Sequence, residues 1–437
     1  MLRVVFFEDD KSDQLAPLAL LRPVFELICG AWSLRERLIR QLEVREWCVF
    51  IREHLVETYR EIHPDVRIND FSGDSRTPML LLNGRWLPTQ SDIHQLRNIS
   101  DDEAGVIGDT LAYLTLDPIE ASVLSQEHGE ELLWSMVRSR KVRKAQGRII
   151  NHPWDLVDAN GAQLQSDFRW RQARPGHMEW PNHVSVLGSP EKIWIAPSAQ
   201  VEPYVVIDVR QGPVSIDAGA IVQSFTRIEG PCHIGSGSQL FRANVRAGTT
   251  IGPMCRVGGE VDASILHGFV NKYHDGFIGH SYICPWVNLG ALSTNSDLKN
   301  DYSAVKVPIL GQLVETGLNK VGCFIGDHTK TGLGSLFNTG SSVGVMCMIL
   351  PGGELLPKHI PSFGRIWHGE LDDRLNFPAA LHTAAIAMER RNQALTDAQR
   401  RLLHYVYQQS QPERDLAMER QTTKRDVSHI SKPTPNA

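Results

Sequence analysis

The sequence has little of what marks several common classes of protein. Its seven cysteines are scattered and form no Cys-x-x-Cys pair, which argues against a structural zinc centre or a disulfide framework. With a net charge of -5, it has no basic excess of the kind that binds nucleic acid or anionic membranes. No apolar run reaches the roughly 20 residues of a membrane-spanning helix. We therefore predict no nucleic-acid partner, no membrane partner and no bound metal.

The first residues, MLRVVFFEDDKSD, place acidic side chains directly after a short apolar run. This opening lacks the charged start and long apolar centre of a signal peptide, so we predict a cytoplasmic protein. At 437 residues the chain exceeds what one hydrophobic core usually serves. We expect two folded domains and an appendage.

The first 150 residues have the pattern of an α/β domain. Residues 2–7 form an apolar run typical of a buried strand, and residues 79–82 form another before an Asn-Gly turn. Apolar side chains at helical spacing predict helices within 25–42 and 121–150. Residues 151–188 show no clean period, and we interpret them as a connector.

A period of six residues begins at Ile195. Glycine often follows the repeated position, as tight corners require, and neither a helix nor an antiparallel sheet has this period. The pattern predicts a left-handed parallel β-helix over 189–365, in which one side chain per six points inward. The repeated positions are Ile195, Val201, Ile207, Ile216, Val222, Ile228, Ile234, Leu240, Val245, Ile251, Val257, Ile325, Thr331, Phe337, Val343 and Ile349.

Two segments lie outside this pattern. Residues 263–320 interrupt the period, and we expect function there because loops on a rigid scaffold often carry it. The tail, 366–437, has two predicted helices within 379–410, and its polar end, 411–437, is predicted to be disordered and to contribute little chemistry.

Residues 263–280, followed by Val287-Asn288-Leu289-Gly290-Ala291, resemble the acetyltransferase half of the bacterial bifunctional enzymes that make UDP-N-acetylglucosamine. Residues 1–365 resemble the GlmU-like sugar nucleotidyltransferase family as a whole, on the segments Leu21-Arg22-Pro23 and 326–330. The resemblance implies a nucleotidyltransferase-like domain followed by a β-helix acyltransferase domain. It also implies a homotrimer that uses acetyl-CoA or another acyl-CoA and acts on a sugar phosphate or nucleotide sugar.

The resemblance implies a catalytic site in the β-helix. His274, Phe277 and Asn288 reproduce a family spacing in which the histidine is the general base and the asparagine contacts the amine or the acyl group. Phe277 stands where the family has tyrosine and lacks its hydroxyl, and the later Asn-Tyr pair of the family is replaced within Thr294-Asn295-Ser296-Asp297. The identity of the acceptor is therefore open.

The remaining candidates for this site are binding residues. Lys272 would attract the acceptor's phosphate, and amides near Gly290 and Ala291 would stabilise an oxyanion. The cofactor-binding candidates are Lys299 and Lys306 for the cofactor's phosphates, and His328 for a site shared between subunits. Each has a plainer interpretation: the lysines as solvated side chains, Asn288 and His328 as structural residues of the coil.

The N-terminal domain departs from the family. Nucleotidyltransferases of this kind begin with a glycine-rich loop whose amides hold the triphosphate, whereas Glu8, Asp9 and Asp10 stand in its place. Carboxylates there oppose phosphate binding unless a cation such as Mg²⁺ intervenes. Arg22 and Arg85 are the candidate phosphate ligands of this domain.

Three functions follow from these observations. The first is an acyl-CoA-dependent transferase that resembles glucosamine-1-phosphate N-acetyltransferase. The others are a sugar-1-phosphate nucleotidyltransferase in the N-terminal domain and a β-helix scaffold that binds a sugar nucleotide without catalysis. His267, His274, His280 and His328 also suggest a zinc site like that of the β-helix carbonic anhydrases, but their spacing does not match.

Overall fold

The computed structural model describes residues 3–70, 78–100, 102–126, 129–172 and 183–430. The chain divides into two compact units, Met1–Leu156 and Val157–Ala437, which we call unit 1 and unit 2. Among the described residues, no helix combines the length and the apolar character needed to cross a membrane.

Unit 1 is an α/β unit built on a seven-stranded sheet. The strands of the unit are β1 (Arg3–Phe7), β2 (Ile28–Cys29), β3 (Trp32–Ser33), β4 (Glu46–Phe50), β5 (Arg67–Ile68), β6 (Met79–Asn83), β7 (Trp86–Leu87), β8 (Glu103–Ile107), β9 (Thr110–Leu116), β10 (Lys141–Lys144) and β11 (Arg148–Ile149). The strand order in the sheet is β10-β8-β9-β6-β1-β4-β5. Strand β1 pairs in parallel with β4 and β6, and β6 pairs antiparallel with β9. The helices are α1 (Leu34–Leu42), α2 (Val56–Ile62), α3 (Gln90–Leu96), α4 (Pro118–Gln126) and α5 (Glu130–Val137), and α6 (Pro153–Gln172) begins at the end of the unit.

The local sequence explains where these elements begin. Strands β1 and β6 are buried along their whole length, as their unbroken apolar runs predict. Helix α1 begins only at Leu34, where Ser33 and Glu36 form a capping box, so the predicted start at residue 25 was wrong. The helix predicted within 121–150 is present as two helices, α4 and α5, but it does not reach residue 150, because the basic run after α5 includes strand β10, which pairs with β8.

Unit 2 is a parallel β-helix with a helical tail, which confirms the predicted architecture. The strands of unit 2 are β12 (Ser185–Leu187), β13 (Ile193–Ile195), β14 (Gln200–Val201), β15 (Val206–Asp208), β16 (Val214–Ile216), β17 (Ile221–Val222), β18 (Arg227–Glu229), β19 (Cys232–Ile234), β20 (Gln239–Val245), β21 (Thr249–Ile251), β22 (Arg256–Asp262), β23 (Ile265–Leu266), β24 (Asn271–Lys272), β25 (Phe277–Gly279), β26 (Tyr282–Ile283), β27 (Thr294–Asn295), β28 (Lys306–Ile309), β29 (Gln312–Glu315), β30 (Cys323–Ile325), β31 (Lys330–Thr331), β32 (Leu336–Phe337), β33 (Ser341–Val343), β34 (Met348–Ile349), β35 (His359–Ile360), β36 (Arg365–Trp367) and β37 (Glu370–Asp372).

The coil has three faces. The first face is the nine-stranded sheet β13-β16-β19-β21-β23-β26-β30-β33-β35. The second face contains β14, β17, β24, β31, β34 and the first halves of β20 and β22, and Asn288 bridges β24 to β31. The third face contains β12, β15, β18, β25 and the second halves of β20 and β22, followed by β27 and β32.

The repeated aliphatic positions form the core of the coil, as predicted. Every one of the sixteen positions named above is buried. The predicted interruption over 263–320 is too long, because β23 to β27 continue the coil as far as Asn295. Only the segment 296–322, which carries the antiparallel hairpin β28-β29, leaves it. Two inward positions in the missed coils are polar: Lys272 pairs with Val257, and Asn295 pairs with Phe337.

Helices precede and follow the coil along the chain. Helix α6 lies within the predicted connector, and its Asn160 side chain bonds to Gly248 O (2.8 Å) and to Thr250. The tail consists of α7 (Phe377–Glu389), α8 (Asp397–Gln409) and α9 (Gln411–Ile430). Residues 411–430 are therefore helical, which corrects the predicted disorder there, and the Gln421 side chain bonds to the backbone of Leu371 in β37. Residues 431–437 lie outside the described residues.

Candidate functional site

A cavity of about 220 Å³ lies in unit 1 at the carboxyl ends of β1 and β6. In open α/β sheets ligands usually bind at this edge. Glu8, Asp9 and Asp10 line it directly after β1, with Arg85 after β6 and Glu130 at the start of α5. Its apolar lining includes Phe7, Phe50, Leu124, Leu133 and Trp134, and the other polar lining residues are Lys11, Asn83, Asp109 and Thr110.

The arginines near this cavity are bonded to protein groups. Arg85 is fully buried and donates to both oxygens of Asp9, at 2.7 and 2.5 Å, and to Ile150 O and Asn151 Oδ1. Arg22, the other predicted phosphate ligand, donates to Leu18 O at 2.9 Å and does not line the cavity. The structure therefore gives Arg85 a structural role and does not bring the two arginines together.

The carboxylates of the cavity also form hydrogen bonds and ion pairs within the protein. Arg52 donates to both oxygens of Glu8, at 3.0 and 3.2 Å, and Val24 N donates to one of them. Burial, followed by a hydrogen bond with Glu130, raises the pKa of Asp10. Binding Mg²⁺ through Glu8 and Asp9 would require the chain to break these ion pairs, so these residues as arranged do not fit a metal-dependent nucleotidyl transfer site.

His274 is exposed at the corner between the second and third faces of unit 2, between β24 and β25. Lys272 lies inside the coil with 2% exposure, and its ammonium donates to Gly258 O (2.7 Å) and His274 O (3.0 Å). Burial lowers the pKa of Lys272 to about 8. Lys272 therefore holds the backbone that presents His274, a different role from the phosphate contact predicted from sequence.

Asn288 lies on the outer side of the second face. Its Oδ1 accepts a hydrogen bond of 2.5 Å from Asn271 Nδ2, and its strand position bridges Asn271 to Lys330. Phe277 lies on the third face, paired with Glu260. Among the described residues, no side chain hydrogen-bonds the imidazole of His274, so the structure does not bring the predicted base and Asn288 into contact.

The predicted cofactor residues are dispersed. Lys299 donates to Ser303 and Ala304 O within the inserted segment, and Lys306 forms an ion pair of 2.6 Å with Glu315 across the β28-β29 hairpin. Gly290 N donates to Thr331 O (3.1 Å), so this amide is already bonded, and Ala291 O accepts from Gly334 N. The buried His328 lies parallel to Trp286 at a ring distance of 6.1 Å.

A second cavity, of about 510 Å³, lies between the second face and the end of α7. We call it the α7 groove. It contains two stacked rings, Phe269 and Trp286, whose centroids are 4.2 Å apart. Its lining residues are Phe269, Asn271, Trp286, Val287, Asn288, Lys330, Thr383, Ile386, Ala387, Arg390 and Arg391. Of these residues, only Asn288 was a site candidate from the sequence, and Arg390 and Arg391 come from the distant tail.

The α7 groove is cationic. Three of its lining residues, Lys330, Arg390 and Arg391, carry positive charge, and none is acidic. Lys330 donates to Trp286 O, and burial lowers its pKa to about 8. Burial and the charge of Arg391 lower the pKa of nearby Arg256. This surface suits a ligand that is anionic.

Asp262, His280 and Asp297 meet at the corner between the third and first faces. Their donor atoms lie within 4.8 Å of one another, close enough to hold a metal ion. His280 Nδ1 lies 2.8 Å from Asp297 Oδ2, and although burial opposes it, this contact lowers the pKa of Asp297. No metal was predicted from the sequence, and this group was not recognised there. His267 is apart from it, with Nδ1 2.8 Å from the Tyr282 hydroxyl.

Comparison with known proteins supports the two-unit description. Residues 4–174 match the family described as "Sugar nucleotidyl transferase". The chain is 33% identical over 93 residues to the bifunctional sugar-1-phosphate nucleotidylyltransferase/acetyltransferase of Sulfurisphaera tokodaii, covering 21% of this chain and 23% of that protein. It is 30% identical over 241 residues to the bifunctional protein GlmU of Methanocaldococcus jannaschii, covering 53% of this chain and 52% of that protein.

Two further similarities are more limited. The bifunctional protein GlmU of Jannaschia sp. is 32% identical over 146 residues, which cover 32% of this chain and 30% of that protein. A solved Bacillus cereus structure, described as a candidate acetyltransferase, matches with 14% identity and a TM-score of 0.22, covering 52% of this chain and 99% of that chain. A TM-score of this size establishes no common fold.

The fold and these matches define a class: an α/β unit similar to sugar nucleotidyl transferases, followed by a parallel β-helix unit. The chain is similar to GlmU-like bifunctional transferases, which confirms the resemblance inferred from the sequence. The chain spans about half or less of the length of the curated relatives it matches.

Proposed function

We propose that unit 2 is an acyl-CoA-dependent transferase that acts on an amino-sugar phosphate or a nucleotide sugar, as a homotrimer. The observation that carries this proposal is the corner at His274, where an exposed imidazole is presented by a backbone fixed from inside by Lys272. The similarity to proteins named as bifunctional nucleotidyltransferases and acetyltransferases supports the same function.

His274 would act as general base. A neutral imidazole has a free ring nitrogen that can accept the proton of an acceptor amine as the amine nitrogen attacks the acyl carbonyl. Bound acyl-CoA supplies the thioester that is cleaved, and the CoA thiol leaves. Lys272 acts through the backbone of His274 and is a positioning residue, because its ammonium is buried and bonded to carbonyl groups.

The residues available for acyl-CoA differ from those predicted. Lys299 and Lys306 are bonded within the inserted segment. Among the described residues, Lys330, Arg390 and Arg391 form no ion pair with a carboxylate, and they fit the phosphates of such a ligand.

The test is acyl transfer from acetyl-CoA to glucosamine-1-phosphate, measured by mass spectrometry of the product. We expect His274→Ala to lower kcat by at least about 100-fold, the usual contribution of a general base, with binding of acetyl-CoA unchanged. His382→Ala, an exposed histidine on α7 that does not line the groove, is the matched control. An unchanged kcat in His274→Ala would refute the role of this residue, and no transfer to any amino-sugar phosphate or nucleotide sugar would refute the function.

Nucleotidyl transfer by unit 1 is the second candidate, because the family match at 4–174 favours it. The ion pairs of Arg52 with Glu8 and of Arg85 with Asp9 argue against this activity, because they occupy the groups that would bind Mg²⁺ and phosphate. Its test is pyrophosphate release from a nucleoside triphosphate and a sugar-1-phosphate in the presence of Mg²⁺. Release that is lost in Asp10→Asn would establish this activity beside the first.

A further inference from the structure

We infer that the α7 groove binds a phosphorylated nucleotide, with the base against the ring wall and the phosphates at the α7 end. The inference deepens the proposed function if the nucleotide is the 3′-phospho-ADP end of CoA, and it extends to the nucleotide of a sugar nucleotide. Binding is measured without turnover, so the inference and the proposed function can fail separately.

One wall of the groove is apolar and aromatic. Phe269 and Trp286 stack with an interplanar angle of 18°, and Trp286 lies nearly parallel to His328 at 10°. Each of the three residues has a positive φ and stands at the same corner of successive coils. Ile386 of α7, which is 46% exposed, adds an apolar side chain opposite. A nucleotide base is the kind of planar group that gains free energy against such a wall.

The floor of the groove offers paired amide groups. Asn271 Nδ2 donates to Asn288 Oδ1, which leaves Asn271 Oδ1 and Asn288 Nδ2. Among the described residues, neither of these two atoms has a hydrogen-bond partner in the protein. One acceptor and one donor side by side match the edge of a nucleotide base, which presents the same two kinds of group.

The third component is charge. Arg390 and Arg391 follow the last turn of α7, and Lys330, on the second face, donates to the backbone carbonyl of Trp286. Arginine side chains bind phosphate through paired donors. An apolar ligand would leave the charges of Arg390 and Arg391 without an anionic partner, and a neutral sugar would make no use of these charges. Together the rings, the amides and the cations favour a ligand that has a base and phosphates.

The experiment is calorimetric titration of the full chain with adenosine 3′,5′-bisphosphate and, separately, with UDP. We expect one of them to bind, and Arg390→Ala with Arg391→Ala to weaken it by at least tenfold. Asn288→Leu should weaken it as well, through the lost amide contact. Arg374→Ala, at an exposed arginine outside the groove, is the matched control and should bind as the wild type does.

The two ligands identify the source of the nucleotide. Binding of adenosine 3′,5′-bisphosphate, competed by CoA, would assign the groove to the acyl donor, and binding of UDP would assign it to a nucleotide sugar. Binding of neither at millimolar concentration would overturn the inference. Binding that is insensitive to Arg390→Ala with Arg391→Ala and to Asn288→Leu would also overturn it, because the nucleotide would then occupy another site. Acyl transfer without nucleotide binding in the groove would leave the proposed function intact.

Discussion

The buried arginine of unit 1 makes the sharpest prediction. Arg85 is 0% exposed and forms a two-point ion pair with Asp9, besides two bonds to Ile150 O and Asn151 Oδ1. Replacing Arg85 by methionine keeps much of the volume but leaves the Asp9 carboxylate, whose side chain is 14% exposed, without its cationic partner and with only the hydrogen bonds from Asn83 Nδ2 and Lys11 N. Loss of one partner of a buried ion pair costs about 3–5 kcal/mol. For a unit of this size, that loss lowers the unfolding temperature by roughly 10 °C.

The assay is thermal and urea unfolding followed by circular dichroism, with two matched variants beside Arg85→Met. Asp9→Asn in the Arg85→Met background removes the carboxylate charge that has lost its partner. This double variant should regain roughly 2 kcal/mol of unfolding free energy, since the two residues are coupled. Lys141→Met, at an exposed pair 3.9 Å from Asp102, should change stability by no more than about 1 kcal/mol. If Arg85→Met unfolds like the wild type but loses binding of a nucleoside triphosphate, the structural role is wrong and Arg85 is a phosphate ligand.

Three further predictions concern unit 2 and the cysteines. Asn295→Leu should lower the stability of the coil by about 2–4 kcal/mol in urea unfolding, because the buried amide bonds both the N–H (2.8 Å) and the carbonyl (3.0 Å) of Gly279. Asn338→Leu, on the partly exposed side of the same coil region, is the comparison, and equal losses would contradict the argument. Burial lowers the pKa of His233 to about 4. Since the unfolded state then binds the proton more tightly, stability should fall by about 3 kcal/mol as the pH falls from 6.5 to 4, and His233→Gln should remove that fall. Finally, all seven cysteines are buried and none forms a disulfide, so a thiol reagent should label them only after unfolding, and rapid labelling of the native protein would contradict the burial.

The β-helix could be predicted because its signal is local and repeated. Each face of a coil places one side chain of the repeat inward, so the period of six is visible wherever those positions are apolar. The coils between 263 and 295 were missed because Lys272 and Asn295 hold two of the inward positions. Both side chains are stabilised by hydrogen bonds to backbone carbonyls of neighbouring coils, which no periodicity reveals.

The candidate sites were less predictable, because they depend on contacts between distant residues. Nothing local indicates that Arg85 pairs with Asp9, 76 residues earlier. Motif spacing identified His274 and Asn288 but not the side chains around them. The contribution of Arg390 and Arg391 to the α7 groove could not be predicted for the same reason. These residues follow Asn288 by about a hundred residues, which form coil and helix.

The inserted segment 296–322 has a consequence for how such a chain can be altered. Strands β26 and β30 on either side of it pair directly, Tyr282 with Phe324 and Ile283 with Ile325, so the coil closes as if the insertion were not there. The number of residues in the insertion is thus uncoupled from the spacing of the coils. The turn of the insertion at Tyr302 is exposed, with 68% of this residue accessible to solvent. We expect a peptide tag or a whole foreign domain to be accepted at this position without disturbing the pairing of β26 with β30 in the β-helix.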